Sequence, residues 1–117
     1  MSAYTSLRQW CDRIAGTDFY RVVDPVIWEV GAEGSGLLVR VPVGFVFDIS
    51  VPRGLRRILS AHDRRVLKAA ALHDHLLCRG WDRVTAAAAF HDALLADGVG
   101  RRLRFALWLC VSIWRWR

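Results

Sequence analysis

Apolar and polar residues change their spacing about halfway along the chain. In the first half, runs rich in β-branched and aromatic residues occur at Phe19–Val23, Val26–Val30 and Leu37–Val43. Such runs predict strands. The second and third runs flank the glycine-rich segment 31–36, which predicts an antiparallel hairpin. Pro42 is expected at a strand end or in an edge strand, because it has no N–H to donate to a neighbouring strand.

In the second half, apolar residues recur at helical spacing and predict three helices. The first contains the stretch VLKAAALHDHLLC, which has high helix propensity and no Gly or Pro, and it is expected to begin near His62 or Asp63. Thr85 is the expected N-cap of the second helix, since threonine caps helices well. The predicted helices end at Cys78, at Ala96 and near Trp114.

Three further segments have weaker patterns. Ser2–Ile14 is predicted as a short amphipathic helix, Val46–Arg53 as an irregular connection and Leu55–Leu59 as a helical turn. The whole pattern predicts an α+β fold, in which a small antiparallel sheet from the N-terminal half packs against about three helices from the C-terminal half. At 117 residues the chain is expected to form a single domain over residues 1–117.

Composition narrows the class of protein. Apolar residues make up 54% of the chain, which excludes a disordered polypeptide. The net charge of +6 is typical either of a solvated arginine-rich surface or of contact with nucleic acid, an acidic protein surface or an anionic envelope. No apolar stretch reaches the ~18 to 20 residues that span a bilayer, and the first ten residues lack the apolar core of a signal peptide. The three cysteines are far apart and are expected to be buried thiols.

The candidate chemistry centres on His73, Asp74 and His75 in the first predicted helix. Neighbouring helical positions point about 100° apart, so the three side chains cannot share one face. His73 and Asp74 each fall on an apolar stripe, so at least one of them is expected to enter the core. A buried polar group needs a partner, because desolvating it unpaired costs several kcal/mol.

Three segments together resemble a known family. They are VPVGFVFDISVPR (41–53), AALHDHLL (70–77) and FHDALLADGV (90–99), and their order and spacing are similar to those of the DUF1353 family, over about residues 19–115. That family consists of small proteins of phages, prophages and gene-transfer-agent-like elements. The resemblance implies a genomic setting more than a reaction. It leads us to expect a virion location, with assembly in the host cytoplasm.

The resemblance also maps three candidate catalytic residues. Asp48, His73 and Asp74 match the family's Asp and His-Asp positions, whereas Ala87 stands where the family usually has Asp. A carboxylate/histidine site shared by two helices would therefore lack a ligand. Asp48 has two interpretations from the residues themselves: it accepts backbone N–H bonds in an Asx-type turn, or it hydrogen-bonds to His73 and orients the imidazole.

Neither a metal nor another cofactor is predicted. His73 and His75 are two residues apart and splayed on a helix, and the chain contains no HExxH or CxxC motif. The favoured interpretation is a non-enzymatic virion or tail-associated structural or interaction protein. The alternative is a metal-dependent or acid–base hydrolase that acts on cell-wall material through Asp48, His73 and Asp74.

The C-terminal helix, 101–115, is the expected docking element. Its apolar run Phe105–Trp114 lies between arginines, as in many protein interfaces, although a core helix or an interfacial membrane helix has the same pattern. The expected partners are other virion or tail proteins, in particular an acidic protein surface, and no specific nucleic acid is predicted. The residues assigned to partner binding are Trp108, Trp114, Arg115, Trp116 and Arg117.

Overall fold

The computed structural model describes residues 10–17, 19–31, 34–48 and 64–113. Within these ranges strands come first and helices follow, which confirms the α+β class. The strands are β1 (Cys11–Arg13), β2 (Phe19–Val22), β3 (Val26–Glu29), β4 (Leu38–Val41) and β5 (Val46–Asp48). The helices are α1 (Arg64–Cys78), α2 (Arg83–Ala96) and α3 (Arg101–Ile113).

The first sheet has three antiparallel strands in the order β1-β2-β5. Side chains alternate between its faces, so Tyr20 and its partner Phe47 are both buried, as are Cys11 and its partner Val22. The ring of Phe47 stacks on that of Trp10 at 5.6 Å and on that of Tyr20 at 5.7 Å. This aromatic stack forms the sheet's contribution to the core.

The second sheet is the predicted hairpin, β3 paired antiparallel with β4, and its existence is confirmed. Val26 lies opposite Val41, and both are buried. The glycine-rich turn is tied to β3 by Glu29, whose Oε2 accepts the backbone N–H groups of Gly34 and Gly36 at 3.0 and 3.2 Å. Pro42 follows directly after β4, as its missing N–H requires.

Helix α1 is the central element, because it packs against β3, β4 and β5 on one side and against α2 on the other. Its four consecutive residues Ala69 to Leu72 are all buried. Helix α2 presents small side chains to its neighbours and packs in turn against α3. Its buried residues are Ala86, Ala87, Ala89, Phe90, Ala93 and Leu94.

Two predictions about local structure are wrong for the residues that the structure describes, while residues 2–9 and 49–53 of the same two segments lie outside the described residues. The expected N-terminal helix does not include Cys11–Arg13, which form β1, and the backbone carbonyl of Trp10 accepts the N–H of Val23 at 2.7 Å. The expected irregular connection begins with a strand, β5, and Asp48 is its last residue. Both strands have three residues, which is too short for the alternation of apolar and polar positions to be recognised.

Two further predictions need correction, and one is not tested. Asp82, not Thr85, is the N-cap of α2. Cys11 is buried as expected, but Cys78 is exposed and Cys110 is only half-buried. The predicted helical turn Leu55–Leu59 lies outside the described residues.

Candidate functional site

The two histidines of α1 are buried against different parts of the fold. His73 is 5% exposed and its ring lies 5.4 Å from that of Phe90 on α2. His75 is 9% exposed, and its ring meets that of Phe45, just before β5, edge to face at 5.2 Å. The predicted splay of the two imidazoles is thus present, and they do not point at a common ligand.

His73 is held by packing more than by polar contacts. Its Nε2 atom is buried and has no hydrogen-bond partner among the described residues, so Nε2 does not donate a hydrogen bond to the carboxylate of Asp48. Its Nδ1 lies 3.7 Å from Oδ1 of Asp74, beyond hydrogen-bond distance. Asp48 and Asp74 each have other interactions.

A second His-Asp pair, on α2, has almost the same separation as the pair His73–Asp74. Nδ1 of His91 lies 3.8 Å from Oδ1 of Asp92, almost the same separation as in the pair on α1. Two pairs in different surroundings share this distance because the partners are sequence neighbours on a helix. The His73–Asp74 separation therefore does not by itself indicate a catalytic dyad.

The electrostatics of α1 favour a neutral imidazole at His75. Burial lowers the pKa of His75, and the positive charge of Arg79, one turn further on, lowers it further. In the described ranges no group of three or more His, Cys, Asp or Glu side chains is arranged to hold a metal ion. Ala87, at the position where the family usually has Asp, is 1% exposed and lies at the packed side of α2.

Helix α3 has one face on the domain and one in solvent. Leu107 is its buried residue, and Leu103 and Val111 on the same face pack partly against the core. On the opposite face, Phe105, Leu109 and Ile113 are four residues apart and are 57%, 39% and 64% exposed. We call these three residues the outer stripe.

The structure describes one of the five residues that the sequence assigns to partner binding. Trp108 is half-buried, and its ring packs on that of Phe105 at 5.9 Å. The other four, Trp114, Arg115, Trp116 and Arg117, lie outside the described residues. The outer stripe was not predicted because the sequence of α3 is apolar almost all round, although the four-residue spacing was visible.

A polar contact joins the start of α3 to α2. The guanidinium of Arg104 donates through Nε to Nε2 of His91 at 3.1 Å and through Nη1 to the carbonyl of Val99 at 2.9 Å. The His91 and Arg104 side chains are thirteen residues apart on different helices. No local sequence pattern pairs them, so this contact could be found only from the structure.

Asp97 is the acidic group that burial affects most among the described residues. It follows the last residue of α2, and its Oδ2 is buried without a hydrogen-bond partner. Burial raises the pKa of Asp97 to about 6, although the nearby charge of Lys68 on α1 acts in the opposite direction.

No described helix is long and apolar enough to cross a membrane. Searches of curated proteins and of solved structures found no match. A model of the family described as "Protein of unknown function (DUF1353)" matches residues 20–111, a range that holds most of β2, every element from β3 to α2, and most of α3. Because the match covers more than half of the chain, the chain belongs to the DUF1353 family.

Proposed function

We propose that this chain is a non-catalytic interaction protein of a phage or gene-transfer-agent-like particle. It docks through the solvent face of α3 onto an apolar groove with an acidic rim on another particle protein. The observation that carries the proposal is the outer stripe of Phe105, Leu109 and Ile113, which lies exposed on one face of α3. Apolar side chains grouped on one exposed face are typical of binding surfaces.

The arginines next to the outer stripe favour a partner with negative charge. Arg101 and Arg102 are exposed at the start of α3 and carry positive charge beside Phe105. A second copy of the chain would bring a further net charge of +6 to the same contact, which disfavours self-association through this face. A partner with acidic residues around an apolar groove has the complementary charge.

The buried state of His73 weighs against the hydrolase alternative. A general base must come within hydrogen-bond reach of the proton that it removes. The imidazole of His73 is 5% exposed, and its Nε2, which has no hydrogen-bond partner, is buried in the fold. These features support a packing role for the His-Asp motif in this chain.

The proposal is tested by measuring how much of the chain enters purified particles. The tagged chain is expressed in cells that carry the surrounding particle genes, and particles are isolated by density gradient. The test variant is Phe105→Ser with Ile113→Ser. The matched control is Val84→Ser with Leu95→Ser, which removes two exposed apolar side chains from α2 (75% and 54% exposed).

We expect the wild type and the control to enter particles equally and the test variant to enter at least roughly tenfold less, the loss expected when central apolar contacts of an interface are removed. The association should also weaken as salt is raised, because it is partly electrostatic. Absence of the wild type from particles would contradict the particle assignment. Equal incorporation of the test variant would contradict docking through α3.

A further inference from the structure

The contact between His91 and Arg104 requires one protonation state of the histidine. A guanidinium has donors and no acceptor and stays charged at all relevant pH values. Because Nε of Arg104 donates to Nε2 of His91 at 3.1 Å, Nε2 must offer a lone pair. The imidazole in this contact is therefore neutral, with its proton on Nδ1.

We propose that His91 is a pH-sensitive latch: its neutral imidazole holds the first turn of α3 on α2 and releases it when the imidazole is protonated. Protonation places an N–H on Nε2, opposite the N–H of Arg104. The acceptor is lost, and two positive groups then face each other at hydrogen-bond distance. Arg104 also donates to the carbonyl of Val99, in the loop before α3, and no histidine takes part in that bond.

Two charged groups lie beside the imidazole of His91. On its own helix, Oδ1 of Asp92 lies 3.8 Å from Nδ1. From α3, Nε of Arg104 lies 3.1 Å from Nε2. On α1, the charge of Lys68 acts on Asp97, and the ring of His73 packs on that of Phe90. The imidazole of His91 is partly exposed, so a proton can reach it.

Helix α3 is the element that responds. Among its described residues Leu107 is the buried one, so fewer fully buried contacts hold α3 than hold α1 or α2. A local change at its first turn can therefore open it without unfolding the rest. The consequence for partner binding rests on the proposed function, because α3 carries the outer stripe.

The latch is tested on the isolated protein by hydrogen exchange. Protection factors of the amides of residues 101–113, corrected for intrinsic exchange, are compared at pH 7.5 and pH 5.5. The variants are His91→Gln, whose amide oxygen accepts from Arg104 at both pH values, and His91→Leu, which has no acceptor. Other titrating groups, among them His75 and Asp97, are unchanged in both variants.

We expect protection of α3 in the wild type to fall roughly three- to tenfold between pH 7.5 and 5.5, the range expected for losing one charge-assisted hydrogen bond at a partly exposed site. His91→Leu should have low protection of α3 at both pH values. His91→Gln should not show the fall in protection between pH 7.5 and 5.5 that is expected in the wild type. Wild-type protection at pH 7.5 in His91→Leu, or an equal fall in all three proteins, would overturn the latch.

Partner binding is measured separately from the latch. If hydrogen exchange shows the pH-dependent opening but the chain does not enter particles, the latch stands and the proposed function fails. If the chain enters particles and α3 does not open at pH 5.5, the proposed function stands and the latch fails.

Discussion

Thr85 donates both its backbone N–H and its hydroxyl to the carboxylate of Asp82, at 2.9 and 2.7 Å. These hydrogen bonds lower the pKa of Asp82, the hydroxyl bond most. They also satisfy a backbone N–H at the start of α2, which has no acidic residue in its first turn. The start of α2 thus depends on one exposed carboxylate.

We expect Asp82→Ala to lower the thermal midpoint of unfolding, because Ala cannot accept either bond. Asp82→Asn should lower the midpoint less, since the amide oxygen of Asn still caps the helix. Because the pKa of Asp82 is lowered in the folded state, its stabilisation is present above pH 4 and is lost as pH falls further. Thermal unfolding at pH 7 and pH 3 checks this. Equal midpoints for the Asp82→Ala variant and the wild type at pH 7 would contradict the capping role.

The sequence predicted Thr85 as the cap, but Asp82 fits the local pattern equally well. Both residue types are good N-caps, and they are three residues apart, almost one helical turn. The apolar residues of α2 begin at Val84, where either start is compatible with the pattern. The choice depends on the turn 79–82 after α1, whose backbone hydrogen bonds, such as that from Trp81 to Leu76, bring Asp82 to the helix start.

Asp97→Asn is expected to stabilise the protein at pH 7. The pKa of Asp97 is raised to about 6 in the folded state, so the folded protein binds its proton more tightly than the unfolded chain does. This stabilisation is complete below pH 4 and is lost as pH rises through about 6. After allowance for the partial exposure of Asp97, the free energy of unfolding of Asp97→Asn should exceed that of wild type by about 1 to 2 kcal/mol at pH 7.

Urea unfolding at pH 4 and pH 7 measures this difference, with Asp24→Asn at an exposed position as the control. The gain of Asp97→Asn over wild type should be present at pH 7 and should shrink at pH 4, where wild-type Asp97 is also neutral. A gain of the same size at both pH values would show that charge on Asp97 is not its cause.

His75 should make the stability of the protein depend on pH in the opposite direction to Asp97. Burial, helped by Arg79, lowers its pKa in the folded state, so the unfolded chain binds the proton more tightly. Its stabilising effect is present above the ordinary histidine pKa of about 6.5 and is lost as pH falls through its lower folded value. His75→Leu should therefore lose less stability than wild type between pH 7 and pH 5. If urea unfolding shows the same loss in both proteins, His75 is not the group that titrates.

The elements that the sequence predicted well are those with long, regular patterns. The hairpin of β3 and β4 and the helices α1 and α3 contain enough residues for their spacing to be recognised. The short strands β1 and β5 are made by pairing with β2, which lies between them. The pairing of β5 with β2 joins residues far apart in the chain, such as Phe19 and Asp48, and no local pattern encodes it.

The candidate site was predictable in part. The sequence indicated that His73 or Asp74 enters the core, and His73 is buried. It did not indicate that Nε2 of His73 lies buried without a partner, because the ring of Phe90 that packs on the imidazole comes from another helix. The helix predicted to dock is α3, and which of its apolar residues form the outer stripe depends on which side of α3 the domain covers.

The last prediction concerns His73 itself. A buried imidazole nitrogen without a hydrogen-bond partner costs about 1 to 3 kcal/mol of desolvation, and Nε2 of His73 is such an atom in the described structure. His73→Leu keeps an apolar side chain of similar size against Phe90 and removes the polar atom. We expect its stability in urea to equal or exceed that of wild type by about 1 kcal/mol. Leu72→Ala, at a fully buried neighbour, should lose about 2 to 5 kcal/mol and serves as the packing control.

Metal content gives a second test of His73. Elemental analysis of both His73→Leu and wild-type proteins, purified without chelator, should show no bound zinc or manganese. Two outcomes would mean that Nε2 has a partner and would favour the hydrolase alternative. One is a stability loss in His73→Leu close to that of the packing control, and the other is one equivalent of metal that is present in wild type and lost in the variant.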